Sequence, residues 1–395
     1  MPDDPAVIPV LAAEQEEMTA WRRDIHAHPE LGFEEHRTSA LVAEKLRAWG
    51  LEVTTGVGRT GVVGTLRVGN STRAIGLRAD MDALPIPEAN GFAHRSTTPG
   101  VMHACGHDGH TTMLLGAARH LARTRDFEGC VHFIFQPAEE GIGGARAMLA
   151  DGLFEKFPCE SVFGMHNRPG LEVGRFACRP GAMMAGGALF DITVRGKGAH
   201  GGRPQSGIDP VMVAAHIATA AQTIVSRNAD PREVAVLSIT TITCAESYNV
   251  IPHSARMKGT ARTFSTPTMV LIRDNLTRVA TGVATAMGAE AEVDFRIVFA
   301  PLVNAGEEFE AACAAAASVV GDDRVDRNGD IISASDDFSF MMNAVPGAYV
   351  IIGQGVAERP GSDWHHPGYD FNDDILPVGA SYWVKLVETR LAPDS

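Results

Sequence analysis

The chain has 395 residues, 45% hydrophobic and 21% charged, a globular profile, and it is longer than a single core usually grows, so two domains are expected. Its formal net charge of −14 has the wrong sign for a broad basic surface, which argues against nucleic acid or an anionic membrane as partner. The start, "MPDDPAVIPVLAAEQEEM", carries acids where a signal peptide needs a basic region. No apolar run approaches the roughly 20 residues of a membrane span, and the six cysteines are isolated with no CxxC pair. A cytoplasmic location with reduced thiols is expected.

Residues 11–27 follow a helical pattern that stops at Pro29, and residues 34–50 follow a second that finishes on Gly50. "GVVGTLRV" reads as an alternating strand and "AIGLRADMDALP" as a buried strand running into polar residues. "TTMLLGAARHLART" is then a helix, "VHFIFQPAEEG" a buried strand, "GGARAMLADG" a short helix and "SVFGMH" another buried strand. This alternation predicts an α/β domain with a mostly parallel sheet flanked by helices. "RAD", "EE" and "MH" all fall at C-terminal strand ends, the edge where open α/β sheets bind ligands.

The Gly-rich "AMMAGGA" around Ala185 marks a change of pattern. Beyond it "ALFDITVRG", "DPVMVAAHIATAAQTIVSR", "VAVLSITTIT", "ARMKGTARTF", "TPTMVLIRDNLTRVATGVATAMG" and "EAEVDFRIV" read β-α-β-β-α-β. This predicts an inserted smaller α+β domain at 186–299, within a larger domain made of 1–185 and 300–395. Gly186 and Gly187 are expected hinge residues for a rotation of the insert.

The chemistry concentrates in "MHACGHDGH". Cys105 and His107, one residue apart, can direct a thiolate and an imidazole toward one ion from a turn; a polar loop capping the next helix fits the same letters. Further donors stand at other strand ends: Glu139 and Glu140 in "QPAEEGIGG", His166 in "VFGMH", and His365 and His366 in "WHHPGYDFND". Adjacent carboxylates are usually a solvated pair, but on a turn at the active edge one can ligate metal while the other faces substrate. Donors from four separated segments argue for a metal centre more strongly than any one of them.

The stretches "DIHAHPELGFEE", "GLRADMDALPIPE", "MHACGHDGHTTMLLGAA", "FQPAEEGIGGARAML", "GMHNRPGLEVGRF", "GKGAHGGRPQSGIDPV", "NVIPHSARMKGTARTF", "ASDDFSFM" and "WHHPGYDFNDDILPVGA" resemble, in order, the metallo-aminoacylase and carboxypeptidase family. The branch it resembles holds hippurate hydrolases, N-acyl-amino-acid amidohydrolases and auxin-conjugate hydrolases. The resemblance implies two divalent metal ions (Zn, Mn, Co or Ni) on Cys105, His107, Glu140, His166 and His365, with Cys105 bridging and Glu139 as general acid/base. It implies that Asp80 orients a metal-bound residue, and that Arg78 stands where other branches place a metal-binding histidine. His365 is preferred to His366.

The same resemblance implies a homodimer in which His200 of the insert reaches the partner's site. Asn249 and Arg262 are the substrate-binding candidates, the latter for an α-carboxylate. The implied activity is hydrolysis of N-acyl-L-amino acids. A dipeptidase or carboxypeptidase, a non-catalytic metabolite-binding relic, and a redox or zinc-storage protein built on Cys105 are the alternatives.

Overall fold

The computed structural model describes residues 6–244, 247–355 and 363–393, so the first five residues of the acidic N-terminal stretch lie outside it. The strands that matter are β1 (Glu52–Val57), β2 (Gly61–Val68), β3 (Ala74–Asp80), β4 (Gly129–Gln136), β5 (Ser161–Pro169), β6 (Phe176–Ala177), β7 (Gly186–Arg195), β8 (Ala235–Thr243), β9 (Ser254–Thr263), β10 (Glu290–Phe299), β11 (Val325–Asp326) and β12 (Gly347–Gly355). By contacts the chain divides into two units. One is Met184–Leu302 with Ile331–Ser335, and the other holds the remaining described residues.

The larger unit is built on an eight-stranded sheet of order β1-β2-β4-β3-β5-β12-β6-β11. Its central strands β4, β3, β5 and β12 run parallel, so their C-terminal ends share one edge. Every residue of β3 and β4 is buried, as expected of strands covered on both faces. Buried residues of the helices His107–Thr124 and Leu376–Arg390 join them in one core.

Four local readings differ. The first helical stretch breaks at Glu14 into Pro9–Ala13 and Gln15–Ala27. β2 does not alternate: Val62 and Val63, on opposite faces of the strand, are both fully buried. β1 has no counterpart in the sequence reading, since this edge strand buries only Val57. The helix expected from Thr111 begins four residues earlier, at His107, which carries the histidine-rich motif into its first turn.

The smaller unit is a four-stranded antiparallel sheet of order β8-β9-β7-β10. Phe190, Ile192, Val194 and Met257 from its strands share a core with Val213 and Ile217 of helix Pro210–Thr223 and Met269, Ile272 and Leu276 of helix Thr266–Ala286. Each helix starts on a side-chain cap followed by proline: Asp209 accepts from the Val211 amide and Ser265 from the Thr268 amide. Among the described residues no helix is long and apolar enough to cross a membrane.

Candidate metal centre

The Cys-Gly-His spacing works through its glycine. Gly106 stands at φ 100° as the N-cap of helix His107–Thr124, a backbone conformation that side chains with a Cβ rarely adopt. A Cβ there would lie 2.3 Å from Asn167 Oδ1. The turn lets Cys105, just before the helix, and His107, its first residue, converge on the end of β5. There Cys105 Sγ lies 3.3 Å from His166 Nε2.

Both imidazoles are oriented by their other nitrogen. Nδ1 of His166 meets the Asn167 carbonyl at 2.7 Å, and Nδ1 of His107 meets Asp82 Oδ1 at 3.2 Å. Each bond places the N–H on Nδ1 and leaves the Nε2 lone pair facing inward. Nε2 of His107 is buried without a hydrogen-bond partner, and it lies 4.0 Å from Glu139 Oε2 and 4.0 Å from Glu140 Oε1. A buried donor atom ringed by carboxylate oxygens at that distance fits a cation between them. Overlapping groups whose ligand atoms lie within 4.8 Å of one another join Cys105 with His107 and His166, and Cys105 with Glu140 and His365; the thiol belongs to both.

His110 also falls in such a group, but its ring is already committed. Its Nε2 accepts from the Asn167 amide at 3.1 Å and its Nδ1 meets Asp80 Oδ1 at 2.6 Å. His365 faces the cluster, with Nε2 3.2 Å from Glu140 Oε1, whereas His366 turns its Nδ1 to the Gly368 amide. The backbone of His365 is left-handed, at φ 60°, and its amide is tied to the Ala104 carbonyl at 2.8 Å.

The electrostatics call for cations. Burial pushes the Cys105 thiol well up, reinforced by Glu140, Glu139 and Asp80. Burial also pushes Glu139 well up, with Asp336 and Glu140 adding to it. Burial lowers His107, but Asp80, Asp82 and Glu140 outweigh it and hold the ring at about 10. Divalent ions reverse this balance, displacing the protons of a thiol and an imidazole and offsetting the carboxylates.

A family model for peptidase family M20/M25/M40 matches residues 76–389. The chain belongs to this family. The M20-type chain is 41% identical over 381 residues to a hippurate hydrolase of Campylobacter jejuni, covering 96% of this chain and 98% of that protein. It is 37% identical to an N-acetylcysteine deacetylase of Bacillus subtilis, covering 92% and 94%. Among solved structures it resembles the Bacillus subtilis YXEP protein, a dinuclear metal binding peptidase from the M20 family, at 34% identity and TM-score 0.82, covering 96% of this chain and 99% of that one.

In this M20 member the His107 Nδ1 hydrogen bond is made by Asp82 and not by Asp80. Asp80 instead accepts from Arg78 at 2.7 Å and grips His110, while Asp82 holds His107 and accepts the Glu140 amide at 3.0 Å. Two residues apart in "RADMDALP", both acids carry the same local signal, and only the fold separates them. Arg78 is fully committed to Gln136, Asp80 and Asp336. Asp336, Asp337 and Asn167 complete the buried polar surround, and nothing in the spacing marks them.

The three remaining candidates sit in the smaller unit. His200 forms a two-residue bridge, Ala199–His200 against Val250–Ile251, in which it pairs with Val250, so Asn249 is brought beside it. His200 is exposed and its Nδ1 accepts from the Gly202 amide at 3.0 Å. Arg262 lies on β9 opposite Gly187, its guanidinium bonded to Thr260 Oγ1 and the Ala261 carbonyl; the structure does not bring it into that bridge.

Proposed function

We propose that the protein is a metal-dependent amidohydrolase that cleaves the amide between an acyl group and an amino acid, releasing a carboxylic acid and a free amino acid. The observation that carries this reading is the cluster of thiol, imidazole and carboxylate donors around the unpartnered Nε2 of His107. Relatives matched over nearly their whole length are named for hydrolysing acylated amino acids.

Cys105, His107, His166, Glu140 and His365 would hold two divalent ions, with Cys105 shared. A donor set of sulfur and imidazole suits Zn, and Mn, Co or Ni compete according to availability. Bound there, such ions polarise the amide carbonyl and acidify a water. Glu139, beside the ligands and buried, accepts the proton of the attacking water and returns it to the leaving amine nitrogen. His107 and His166 keep their inward lone pairs because Asp82 and the Asn167 carbonyl hold their outer N–H groups.

The 186–299 segment is read as a lid and dimerisation domain. His200 would steady the oxyanion of the partner subunit's substrate, with Asn249 beside it, and Arg262 would hold the α-carboxylate. All six cysteines are free thiols, in keeping with a cytoplasmic enzyme.

The test is hydrolysis of N-acetyl-, N-benzoyl- and indoleacetyl-amino acids and of free-amine dipeptides by metal-stripped protein, with Zn, Mn, Co or Ni restored singly. Cleavage of acylated amino acids that returns with metal is expected. Preference for free-amine dipeptides would replace the reading with a dipeptidase, and silence from metal-loaded protein would defeat it. Mixing His200→Ala with Glu139→Gln protein should restore activity, and no recovery after demonstrated subunit exchange would remove the shared site.

A further inference from the structure

The stretch "DIHAHPELGFEE" contains none of the residues assigned above. Its second half packs under the turn that presents Glu139 and Glu140: a Cβ on Gly32 would lie 2.9 Å from Ala138 Cα. Ala138 stands at φ 51°, in the left-handed region that is costly for any residue with a Cβ. Glycine is the usual occupant of such a position, and alanine needs outside support to stay there. Two hydrogen bonds supply it. The Ala138 carbonyl accepts from the Gly144 amide at 3.0 Å, and the Ala138 amide donates to Glu35 Oε1 at 2.8 Å.

Glu35 is fully buried. It occupies the N-cap position of helix His36–Ala48, yet its side chain makes no capping bond there. Its other oxygen accepts from the Thr60 hydroxyl. Two residues beyond Ala138, the Glu140 amide is held by Asp82 Oδ2. Glu139 therefore sits between two backbone amides, each gripped by a buried carboxylate from a different segment.

We propose that Glu35 is a positioning residue for the hydrolytic site: by holding the Ala138 amide it maintains the left-handed turn from which Glu139 and Glu140 diverge, and so sets metal affinity and turnover without touching metal or substrate. This rests on the reading of Glu140 as ligand and Glu139 as base. Its particular content is that the reach of the side chain matters and its charge does not.

Two variants separate reach from charge. Glu35→Asp keeps the carboxylate but withdraws it by one methylene from the Ala138 amide. Glu35→Gln keeps the length, with its oxygen toward Ala138 and its amide toward the Thr60 hydroxyl, which can accept. The readouts are calorimetric titration of Zn into stripped protein, and kcat and KM on an N-acyl amino acid. For Glu35→Asp, affinity for at least one Zn and kcat should each fall tenfold or more, with KM changing less than threefold. Glu35→Gln should stay within threefold of wild type on both. Adding Ala138→Gly to Glu35→Asp should recover part of the loss, because glycine takes the turn's φ without support.

Glu35→Asp matching wild type would overturn the proposal, and so would Glu35→Gln falling as far as Glu35→Asp. If Glu35→Asp does not fold, Glu35→Asp/Ala138→Gly is compared with Ala138→Gly alone, where a smaller loss of Zn affinity and kcat in the same direction is expected and no loss would overturn the proposal. Wild-type protein that binds Zn but cleaves no N-acyl amino acid would defeat the functional reading, while the titrations would still decide the role of Glu35.

Discussion

Asp82 holds the ring of His107 and the backbone of Glu140 at once, with Oδ1 3.2 Å from His107 Nδ1 and Oδ2 accepting the Glu140 amide at 3.0 Å. Asparagine offers only one acceptor oxygen in that place, so Asp82→Asn must release one of the two. Metal affinity should fall about 10- to 100-fold, the range typical for loss of a residue that orients a ligand. Competition against a chelating indicator measures this, and undiminished affinity would show that the imidazole needs no such anchor.

Cys105 and Glu139 should separate metal retention from chemistry. Cys105→Ala removes the donor common to two ligand groups and should lose bound metal along with turnover. Glu139→Gln should keep metal while kcat drops by about 100-fold or more, the scale of general acid–base assistance. Metal content of purified protein, set beside kcat, gives the answer. The reverse pattern would mean that base and ligand have been exchanged.

A pH effect on stability is expected from His26. Its Nδ1 lies 2.8 Å from Asp108 Oδ2 and its Nε2 3.2 Å from Glu88 Oε1. Burial lowers its affinity for a proton, but Asp108 and Glu88 outweigh burial and raise it from 6.5 to about 9. The folded state thus holds the proton more tightly than the unfolded chain. The stabilisation is complete below about pH 6.5 and is lost as the pH climbs through 9, with a size on the order of 3 kcal/mol. Thermal unfolding of wild type and His26→Gln between pH 6 and 10 should show the gap between them closing toward the alkaline end. A gap that stays constant would sink the assignment.

Much of the fold could be read from residue order because the central strands are nearly continuous apolar runs, and "VHFIFQ" and "AIGLRAD" are buried throughout. The six strands and helices of the smaller unit follow their patterns to within a few residues. Local patterning failed where burial is one-sided or glycine interrupts: β1 buries a single residue, and "GHDGH" has too little helical character to announce the first turn of His107–Thr124. The cluster of candidate donors was conspicuous because cysteine and histidine beside strand ends are chemically distinctive, and the structure brings several of them within reach of one another. Their supports were not. His26 and Asp108 are 82 residues apart, and Arg78 meets Asp336 across 258, so no spacing rule connects them.

Gly106 should resist substitution for a geometric reason. Gly106→Ala forces a Cβ to within 2.3 Å of Asn167 Oδ1 at a backbone φ of 100°. The strain, roughly 1–3 kcal/mol, falls on the turn between Cys105 and His107. The sheet core should survive, so far-ultraviolet circular dichroism should be retained while bound divalent metal drops. Undiminished metal content in Gly106→Ala would show that the left-handed turn is not what brings Cys105 and His107 together.

β12 lies inside the sheet, parallel to β5 on one side and against β6 on the other, although almost the whole chain precedes it. During synthesis from the N-terminus, β5 therefore emerges long before its neighbour and presents a bare hydrogen-bonding edge until residue 355 has left the ribosome. His365 comes later still. With His365 as a proposed ligand, a nascent chain would not complete the metal centre before that residue emerges, and the interval with an open β5 edge is when the chain is most exposed to pairing with foreign strands.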